Sequence, residues 1–447
     1  MTHLHFLGIA GSLMCGAARL AAELGYDISG SDQAFYPPMG DAARALGAPL
    51  FSGYDACAQS RPADCYIVGN AISRGCPLME SVLCEKRPYI SAAQWLGENV
   101  LRGRTVIAVA GTHGKTTTAS LLAWMLERAG FSPGFLLGGT PQSFGVSARM
   151  GKPPFFVIEA DEYDSAFFDK RPKFMHYRPS VLLLNNLEFD HADIYRNIQE
   201  IILQFHYLLR TVPANGQIIA PAADANIQAA LDAGAYTPAA RFGAGGEWDL
   251  RYAEGEMKVL RAGKEICAFA PPLPGAANRG NILAAAAAAH YAGADVSQTG
   301  EYLRDFRPPL RRMQQIAAAR GIVIYDDFAH HPTAYKRTLE AAAEAHPDKR
   351  IVAVFEPRSN TMKAGVFADS LADSLSAAAR VIAAGDYPWL AKSLSALGAK
   401  AAVCQTPQAA GELLFKEMRP GDCVLLMSNG GFGGLPQKAA AELQKKD

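Results

Sequence analysis

One short glycine-bounded loop constrains the fold of this chain more than any other stretch. Residues 106–110 are small or β-branched and carry no charge, which predicts a buried central strand of a parallel sheet. They lead directly into Gly111-Thr112-His113-Gly114-Lys115-Thr116, and residues 116–128 have the composition of a helix closed by Gly130. Because backbone N–H groups and the positive end of the helix then converge on one point, the stretch predicts an anion-binding cradle in an α/β fold.

Lysine and threonine at the start of that helix identify the anion. The common phosphate loop is G-x-x-x-x-G-K-[ST]; Val109 stands where its first glycine would be, so this loop is a shorter variant. Lys115 can reach the β- and γ-phosphates, and the Thr116 hydroxyl can ligate Mg²⁺. A Gly-x-x-Gly turn alone could be purely structural, but Gly-Lys-Thr between strand and helix favours a nucleoside triphosphate. The candidate residues for binding it are Gly111, Thr112, His113, Gly114, Lys115, Thr116 and Thr117.

Carboxylates follow two further apolar strands. Residues 155–158 lead into four carboxylates within residues 159–164, and residues 181–186 lead into Glu188-Phe189-Asp190-His191. If both strands lie parallel to the phosphate-loop strand, these groups reach the sheet edge that holds the triphosphate. Oxygen ligands with one histidine suit Mg²⁺ or Mn²⁺ better than zinc. Glu159 and His191 are therefore candidate metal ligands beside Thr116; the alternative is a set of capping groups and a satisfied loop histidine.

The N-terminal residues predict a β-α-β unit. Within residues 3–32, Gly8-Ile9-Ala10-Gly11 forms the turn after the first strand, and Asp32 ends the second strand, where it could meet a ribose hydroxyl. The turn is not a full G-x-G-x-x-G, because Ala10 and Leu13 occupy the second and third glycine positions. These residues alone leave a nucleotide-like ligand and plain helix packing equally open.

A polar loop follows the next predicted strand, residues 64–69. It comprises Asn70-Ala71-Ile72-Ser73-Arg74-Gly75 at the carboxyl end of the strand, where doubly wound sheets bind ligands. Arg74 could pair with a phosphate or simply be solvated. Further along, Asn278 and Asn281 precede an alanine-rich helix predicted over residues 282–291, where they could serve as caps or as amides that contact an adenine edge.

Polar or glycine-rich segments follow three apolar strands in the C-terminal third. The strand over residues 321–325 leads into residues 326–332, and the strand over residues 350–355 leads into residues 356–361. A last strand leads into Ser428-Asn429-Gly430-Gly431-Phe432-Gly433-Gly434. Three such segments predict the ligand edge of another α/β sheet. The glycine-rich loop either starts a helix or binds substrate carboxylates through its backbone N–H groups.

Length and charge limit the possible classes of protein. The 447 residues suffice for about three domains at ~150 residues each. Breaks in the pattern near residues 101–104 and 306–309 predict domains over residues 1–103, 104–307 and 308–447. Acidic and basic residues balance at 43 each, so no overall field favours a nucleic acid or an anionic membrane as a partner.

Cysteine usage indicates a reducing compartment. The eight cysteines have no C-x-x-C spacing and stand at positions 15, 57, 65, 76, 84, 267, 404 and 423. Residues 6–24 are apolar, but no lysine or arginine precedes them and Arg19 interrupts them, so we expect neither a signal peptide nor a membrane span. The expected location is the cytoplasm, and the expected assembly is a monomer or a weak homo-oligomer.

Together these motifs resemble those of the Mur ligases, the ATP-dependent amide-forming enzymes of bacterial peptidoglycan metabolism. The resemblance spans the whole chain. It rests on Gly111-Thr112-His113-Gly114-Lys115-Thr116, Glu159-Ala160-Asp161-Glu162, residues 185–191, residues 278–281 and Asp327-Phe328-Ala329-His330. It implies a three-domain α/β architecture with a Rossmann-like domain that binds a UDP-sugar, a central P-loop ATPase-type domain, and a Rossmann-like C-terminal domain that binds the incoming amine.

Further motifs resemble the murein peptide ligase branch of this family, which acts in peptidoglycan recycling. They are Tyr36-Pro37-Pro38-Met39, residues 162–171, residues 186–191, residues 356–363 and residues 428–434. The branch joins the tripeptide L-alanyl-γ-D-glutamyl-meso-diaminopimelate to UDP-N-acetylmuramic acid. By this resemblance the muramyl carboxylate attacks the γ-phosphate of ATP, and the peptide amine then displaces phosphate from the acyl phosphate. Closure of the C-terminal domain is expected to exclude water.

The resemblance also implies roles for individual residues. The expected catalytic residues are Lys115, Glu159, His191 and His330, and the expected Mg²⁺ ligands are Thr116, Glu159 and His191. Besides the phosphate loop, the residues expected to contact ATP are Asn278, Arg312 and Asp327. Those expected to contact the UDP-sugar are Gly8, Ile9, Ala10, Gly11, Ser31, Asp32, Asn70, Ser73 and Arg74. Those expected to contact the peptide are Arg358, Ser359, Asn360 and Asn429.

The chain departs from the family pattern at two places. Ala277 stands where the family usually has a histidine before the adenine-side asparagine. Some relatives carry a carbamylated lysine after the Asp-His motif, but no lysine occurs between His191 and Arg210, so we expect none here.

Three alternatives stay open from the sequence. The nearest is UDP-N-acetylmuramate–L-alanine ligase, which has the same chemistry and a smaller amine. A P-loop ATPase whose outer domains do mechanical work would turn over without any amine. A nucleotide-gated binding protein would have no need of Glu159 and His191.

Overall fold

Apolar strands followed by polar loops form three large sheets and one two-stranded hairpin in this computed structural model, which describes residues 1–36, 39–55 and 62–445. Pro37, Pro38 and Cys57, which the sequence analysis used, lie outside the described residues. Among the described residues, no helix has the length and apolar character needed to cross a membrane.

The N-terminal part of the chain forms a five-stranded sheet. Its elements are β1 (His3–Leu7), α1 (Ser12–Glu23), β2 (Asp27–Asp32), α2 (Met39–Arg44), β3 (Leu50–Ser52), β4 (Cys65–Val68), α3 (Pro77–Cys84), β5 (Tyr89–Ser91) and α4 (Ala92–Asn99). All strands are parallel, in the order β3-β2-β1-β4-β5. The order reverses between β1 and β4, so the loops after these strands lie at the switch point where such sheets bind ligands. The predicted β-α-β start is confirmed.

The central part forms a ten-stranded sheet and a small hairpin. Its strands are β6 (Thr105–Ala110), β7 (Gly134–Leu136), β8 (Ala148–Arg149), β9 (Phe155–Ala160), β10 (Asp164–Ala166), β11 (Asp169–Pro172), β12 (Val181–Leu184), β13 (Gln217–Pro221), β14 (Ala239–Phe242), β15 (Trp248–Ala253), β16 (Glu256–Arg261) and β17 (Lys264–Phe269). Its helices are α5 (Lys115–Arg128), α6 (Ile198–Leu209), α7 (Ala225–Asp232), α8 (Ala276–Tyr291) and α9 (Thr299–Leu303). Strands β10 and β11 pair with each other as an antiparallel hairpin.

Strand β6 lies inside the ten-stranded sheet, with β12 and β9 as parallel neighbours. The full order is β17-β16-β15-β14-β13-β12-β6-β9-β7-β8, and the antiparallel pairs are confined to its two ends. The carboxyl ends of β6, β9 and β12 therefore share one edge. This confirms the prediction that the phosphate-loop strand has the two acid-bearing strands beside it.

The C-terminal part forms a six-stranded sheet. Its elements are β18 (Gln314–Ala319), β19 (Ile322–Asp327), α10 (Pro332–Ala345), β20 (Arg350–Phe355), α11 (Asn360–Lys363), α12 (Ala368–Ser374), β21 (Arg380–Ala384), α13 (Pro388–Leu394), β22 (Ala401–Cys404), α14 (Pro407–Glu417), β23 (Asp422–Met427) and α15 (Leu435–Gln444). The order is β18-β19-β23-β20-β21-β22, and only β18 is antiparallel to its neighbour. Apolar cores fill both faces of this sheet. The sequence analysis missed β18, because its glutamines and alanines lack the β-branched character of the other strands.

The chain divides into two compact units. The first contains residues 1–189, 197–272 and 280–307, and the second contains residues 190–196, 273–279 and 308–447. Two segments from the predicted central domain thus cluster with the C-terminal sheet. The predicted domain boundaries stay a prediction, because a division by contacts does not define functional domains.

Helix α8 begins earlier than the sequence suggested. It starts at Ala276, just after Gly275 with its φ of 93°, so neither Asn278 nor Asn281 caps it. Two alanines at its start are strong helix formers, which explains the earlier beginning. The capping alternative for these asparagines is therefore wrong.

Within the first unit, two small residues let the N-terminal helices approach the central part. A Cβ atom on Gly97 of α4 would overlap the backbone carbonyl oxygen of His176, which ends a 3-10 turn over Lys173–His176. A Cβ atom on Gly16 of α1 would lie 3.2–3.3 Å from Leu136 and Ala148. At Gly97 this leaves no room for a side chain, whereas at Gly16 the neighbouring side chains would have to shift by a few tenths of an ångström.

A polar network is buried in the N-terminal sheet. The Ser29 hydroxyl lies 2.7 Å from His3 Nε2 and 2.8 Å from His5 Nδ1, while His5 Nε2 lies 2.9 Å from the Ser31 hydroxyl. His5 is completely buried. Burial first, and the neighbouring His3 second, lower the pKa of His5 to about 3.

Because this pKa lies below that of an unfolded histidine, we expect the N-terminal part to lose stability on acidification. The unfolded chain binds a proton between about pH 6.5 and pH 3 that the folded chain does not bind. The stabilisation is therefore fully present above about pH 6.5 and is lost as the pH falls, by roughly 1.4 kcal/mol per unit. Urea unfolding measures the free energy of unfolding at pH 7 and at pH 5. We expect the loss between these two pH values to be about 2 kcal/mol smaller in His5→Gln than in the natural chain. Equal pH dependence in both proteins would contradict a neutral buried His5.

Candidate active site

The phosphate loop has the conformation that its glycines predict. Gly111 has a φ of 132° and Gly114 a φ of 79°, both in the region that disfavours side chains. A Cβ atom on Gly114 would also lie 2.7 Å from Asn281 Oδ1 and 2.9 Å from Asn185 Nδ2. Helix α5 begins at Lys115, one residue earlier than predicted, so the first free N–H groups of the helix lie at the loop.

Strand β12 fixes the shape of this loop through Asn186. The backbone N–H of His113 donates to Asn186 Oδ1 at 2.8 Å, and Asn186 Nδ2 donates to the His113 carbonyl at 3.0 Å. The Thr112 N–H donates to the Asn186 carbonyl at 3.0 Å. The Thr112 side chain lies 2.9 Å from the Glu188 N–H, and Thr117 is buried. The sequence analysis did not assign Asn185 or Asn186 to the loop; their position directly after an apolar strand was the available signal.

Lys115 lies among the carboxylates that follow β9. Its Nζ is 2.8 Å from Glu162 Oε2 and 3.9 Å from Asp161 Oδ1, and Glu162 is almost fully buried. Burial is the largest influence on the pKa of Lys115 and by itself lowers it, but the charges of Glu162, Asp161 and Glu159 outweigh it and raise the pKa. Lys115 is therefore a permanent cation in this site. Triphosphate oxygens would have to draw it away from Glu162.

Thr116 and Glu159 form an oxygen-rich group beside this lysine. The Thr116 hydroxyl donates to Glu159 Oε1 at 3.0 Å, and the Gly138 N–H donates to Glu159 Oε2 at 2.7 Å. A Cβ atom on Gly138 would lie 2.6 Å from the same oxygen, so the backbone there is a tight cradle for the carboxylate. A hydroxyl and a fixed carboxylate are hard ligands that fit Mg²⁺. The structure thus brings three predicted residues together, Lys115, Thr116 and Glu159.

His191 belongs to the second unit, with residues 190–196. It has a φ of 57°, and its N–H donates to Asp190 Oδ1 at 2.7 Å. Burial raises the pKa of Asp190, but the charges of His191 and His330 outweigh it, so the net pKa is lowered. His191 and His330 thus both act on the same buried carboxylate. The assignment of His191 as a metal ligand stays a prediction.

Backbone hydrogen bonds to Ser31 and Asp32 hold the turn after β1 at the N-terminal switch point. The Ala10 N–H donates to Asp32 Oδ2 at 2.9 Å, and the Gly8 and Ile9 N–H groups donate to the Ser31 carbonyl at 2.8 and 3.2 Å. Asp32 therefore braces the turn after β1 instead of pointing only to solvent. The Ser31 hydroxyl is buried against His5, so it is already used within the protein. Gly11 precedes α1 and its N–H donates to the Gly8 carbonyl at 3.0 Å.

The loop after β4 is exposed and polar. Asn70, Ser73 and Arg74 all lie on the surface. Arg74 makes two hydrogen bonds to Glu80, at 2.9 and 3.1 Å, and its side chain remains 69% exposed. An exposed ion pair of this kind is weak, so it leaves the guanidinium available to a phosphate.

Asp327 is a buried structural anchor at the end of β19. Its Oδ2 accepts from the Met313 N–H at 2.7 Å, and its Oδ1 accepts from the Ala329 N–H at 2.9 Å and the Thr338 hydroxyl at 3.2 Å. Burial raises the pKa of Asp327. With all these donors it holds the loop that carries His330, whose Nδ1 lies 2.9 Å from the Phe328 carbonyl.

Two arginines flank the Phe328 ring. Arg312 lies 4.8 Å and Arg311 lies 5.4 Å from the ring centroid. Arg311 also donates to the carbonyls of Ser428 and Gly430, at 2.5 and 2.7 Å. These bonds connect the segment before β18 to the glycine-rich loop after β23. The sequence analysis assigned Arg312 to ATP and missed the bracing role of Arg311.

The predicted peptide-binding residues lie on neighbouring loops of the second unit. Ser359 caps α11 by accepting from the Met362 N–H at 3.2 Å, and Asn360 donates to Asp193 at 2.9 Å. A Cβ atom on Gly430 would overlap the Arg358 side chain, which places that arginine against the glycine-rich loop. Asn429 Oδ1 is buried with no hydrogen-bond partner among the described residues. The structure brings these predicted residues together around β20 and β23.

The two adenine-side asparagines fall in different units. Asn281 Oδ1 accepts from Asn185 Nδ2 at 3.3 Å, next to the phosphate loop in the first unit. Asn278 belongs to the second unit, where its Nδ2 donates to the Pro274 carbonyl at 2.7 Å. Its contact with ATP stays a prediction.

Three family models match this chain. They are the Mur ligase family catalytic domain over residues 3–104, the Mur ligase middle domain over residues 109–289 and the Mur ligase glutamate ligase domain over residues 311–430. A UDP-N-acetylmuramate–L-alanyl-γ-D-glutamyl-meso-2,6-diaminoheptandioate ligase of Escherichia coli (strain K12) is 45% identical over 450 residues, which cover 99% of this chain and 98% of the relative. The chain belongs to the Mur ligase family.

Two further comparisons place this Mur ligase among its relatives. The crystal structure of a murein peptide ligase from Psychrobacter arcticus has a TM-score of 0.79 and 36% identity, with all of both chains covered. A UDP-N-acetylmuramate–L-alanine ligase of Burkholderia multivorans is 32% identical over 469 residues, which cover 99% of this chain and 98% of the relative. The family models and the solved structure confirm the predicted three-domain α/β fold. As a member of this family, this Mur ligase is an ATP-dependent enzyme that forms amide bonds.

The Thr116 and Glu159 pair leads to a prediction for metal dependence. Glu159→Gln keeps the side-chain size but removes the charge, so we expect the Mg²⁺ concentration for half-maximal activity to rise at least about tenfold, the scale of losing a supporting group at a metal site. Titration of activity with Mg²⁺ measures this. Glu127→Gln is a matched control, because Glu127 lies on the same helix as Lys115 but pairs with Arg149 at 2.5 Å. An unchanged Mg²⁺ requirement in Glu159→Gln would contradict the assignment.

Proposed function

We propose that this Mur ligase joins L-alanyl-γ-D-glutamyl-meso-diaminopimelate to UDP-N-acetylmuramic acid with the hydrolysis of ATP. The observation that supports this proposal best is sequence identity. Over nearly the full length, the chain is 45% identical to a ligase named for this tripeptide and 32% identical to a ligase named for L-alanine. Both comparisons cover nearly the whole chain, so the difference is not an effect of coverage. The reaction belongs to peptidoglycan recycling, and its proposed location is the cytoplasm.

The first step transfers a phosphoryl group and needs positioning and charge neutralisation more than covalent chemistry. In the proposed reaction the muramyl carboxylate attacks the γ-phosphorus of ATP and yields an acyl phosphate and ADP. Lys115 provides a largely buried cation at the triphosphate. Thr116, Glu159 and His191 would hold Mg²⁺, which supplies further neutralisation of phosphate charge when bound.

The second step forms the amide bond. The α-amine of the peptide attacks the acyl carbon, loses a proton and expels phosphate. His330 is the proposed catalytic histidine of the second unit, and its loop is held by Asp327. Arg312 and Asn278 are proposed contacts of ATP. Water must be excluded during this step, because it would hydrolyse the acyl phosphate.

Substrate carboxylates and phosphates must be met by local cations, since the chain as a whole has no net charge. In the second unit, Arg358 lies against the glycine-rich loop with Ser359, Asn360 and Asn429 near by, and we propose this group for the peptide carboxylates. In the first unit, Arg74 and the turn after β1 are proposed for the UDP-sugar. The proposed functional domains are residues 1–103, 104–307 and 308–447.

Phosphate release distinguishes this proposal from its alternatives. Purified protein with ATP, Mg²⁺ and UDP-N-acetylmuramic acid is assayed with the tripeptide, with L-alanine or with no amine. We expect release to depend on the tripeptide, because the chain resembles the tripeptide ligases more closely than the alanine ligases. Dependence on L-alanine alone would assign the biosynthetic reaction instead. Equal release without amine would indicate an ATPase.

The lysine of the phosphate loop provides a second prediction. Lys115→Ala should lower kcat by about 10²–10³ or more, the scale of losing one preorganised electrostatic contact in a site. Tripeptide-dependent phosphate release measures it, and Lys152→Ala, at an exposed position, is the control. A variant at Lys115 with nearly natural turnover would exclude this loop from the phosphoryl transfer.

A further inference from the structure

A second lysine enters the acid cluster of the first unit, and the chemistry proposed above does not use it. Lys173 starts the 3-10 turn after the β10–β11 hairpin and is buried. Its Nζ lies 2.5 Å from Asp161 Oδ2 and 5.4 Å from the centroid of the Tyr163 ring. Its backbone N–H donates to the Tyr163 carbonyl at 3.0 Å. Lys173 is thus fixed at both its backbone and its charged end.

Asp161 is shared between the two lysines. One carboxylate oxygen pairs with Lys173, and the other lies 3.9 Å from Lys115 Nζ. Together with Glu159 and Glu162, three carboxylates face two lysines, so the cluster carries one negative charge in excess. A triphosphate adds further negative charge to the same place. Each uncompensated carboxylate there opposes the nucleotide directly and competes with it for Lys115.

We propose that Lys173 is a positioning residue for nucleotide binding. By holding Asp161 Oδ2, it keeps that carboxylate 3.9 Å from Lys115 Nζ instead of at hydrogen-bond distance, so that the triphosphate competes mainly with Glu162 for Lys115. The role is indirect, because Lys173 acts through Asp161 and does not contact the nucleotide. The inference rests on the proposed use of ATP at this loop, but it requires no particular amine or sugar substrate.

A double-mutant cycle tests this role. Lys173→Met keeps much of the side-chain volume but removes the charge, and with it the ion pair between Lys173 and Asp161. We expect a non-hydrolysable ATP analogue with Mg²⁺, titrated by calorimetry, to bind at least about tenfold more weakly, since an Asp161 carboxylate that Lys173 no longer holds can compete with the nucleotide for Lys115. If Lys173 acts only through Asp161, removing Lys173 has no further effect once Asp161→Asn has removed that carboxylate. We therefore expect the double variant to bind within about twofold of Asp161→Asn alone.

Lys170→Met is the matched control for the hairpin. Lys170 pairs with Asp164 at 2.6 Å on the same hairpin, but its side chain is 70% exposed and Lys115 does not share its partner. We expect its analogue affinity to match that of the natural protein. The affinity for UDP-N-acetylmuramic acid should not change in Lys173→Met, which separates local positioning from a general loss of structure.

Each result decides the question. Unchanged analogue affinity in Lys173→Met overturns the proposal. The proposal is also overturned if Lys173→Met weakens analogue binding by the same factor in the natural protein and in Asp161→Asn, because Lys173 would then contact the nucleotide itself. If Lys173→Met does not fold, the comparison of Asp161→Asn with the double variant still tests whether Lys173 acts only through Asp161. A natural protein that binds no analogue at all would contradict the proposed function instead.

Discussion

The parallel pairing of β6 with β9 and β12 is the constraint on which the proposed nucleotide site depends. Because parallel strands end at the same edge, the phosphate loop, the acid run and the paired asparagines are neighbours, although long stretches of chain separate them. Asn186 then fixes the loop by exchanging hydrogen bonds with His113. A loop held in this way needs little reorganisation when an anion arrives, and such preorganisation is a large part of what a protein contributes to phosphoryl transfer.

Charge is concentrated at this edge, while the chain as a whole is neutral. Lys173 is buried and Lys115 is largely so, beside Glu159, Asp161 and Glu162, and each lysine has a carboxylate partner within 3 Å. Buried charges persist only when they are paired, so the lysines and the acids stabilise one another's ionised states. The two lysine side chains are thus positively charged at the place where a triphosphate is proposed to bind, and their carboxylate partners shield them from other anions in solvent.

Local sequence patterns predicted the parts of the site that depend on neighbouring residues. Glu159 lies near the end of β9, and Lys115 and Thr116 follow the glycine loop after β6, so their place at the sheet edge could be derived from the strand and loop pattern alone. The contact of Lys173 with Asp161 could not be predicted from the strand pattern. The two residues are 12 positions apart, and they meet only because the β10–β11 hairpin reverses the chain. The His5 and Ser31 contact spans 26 residues and two strands, and nothing in either strand indicates it. The clustering of residues 190–196 and 273–279 with the C-terminal sheet likewise depends on tertiary packing.

The close approach at Gly97 extends the site beyond the residues that carry chemistry. Helix α4 packs against the carbonyl oxygen of His176, and the turn ending there is the one that presents Lys173. Any side chain at Gly97 would have to displace that turn, and the displacement would pass to Asp161 through its ion pair. The proposed nucleotide site of the central part therefore limits which residues can stand at position 97 in α4. We expect Gly97 to tolerate substitution as poorly as Lys173 and Asp161 do.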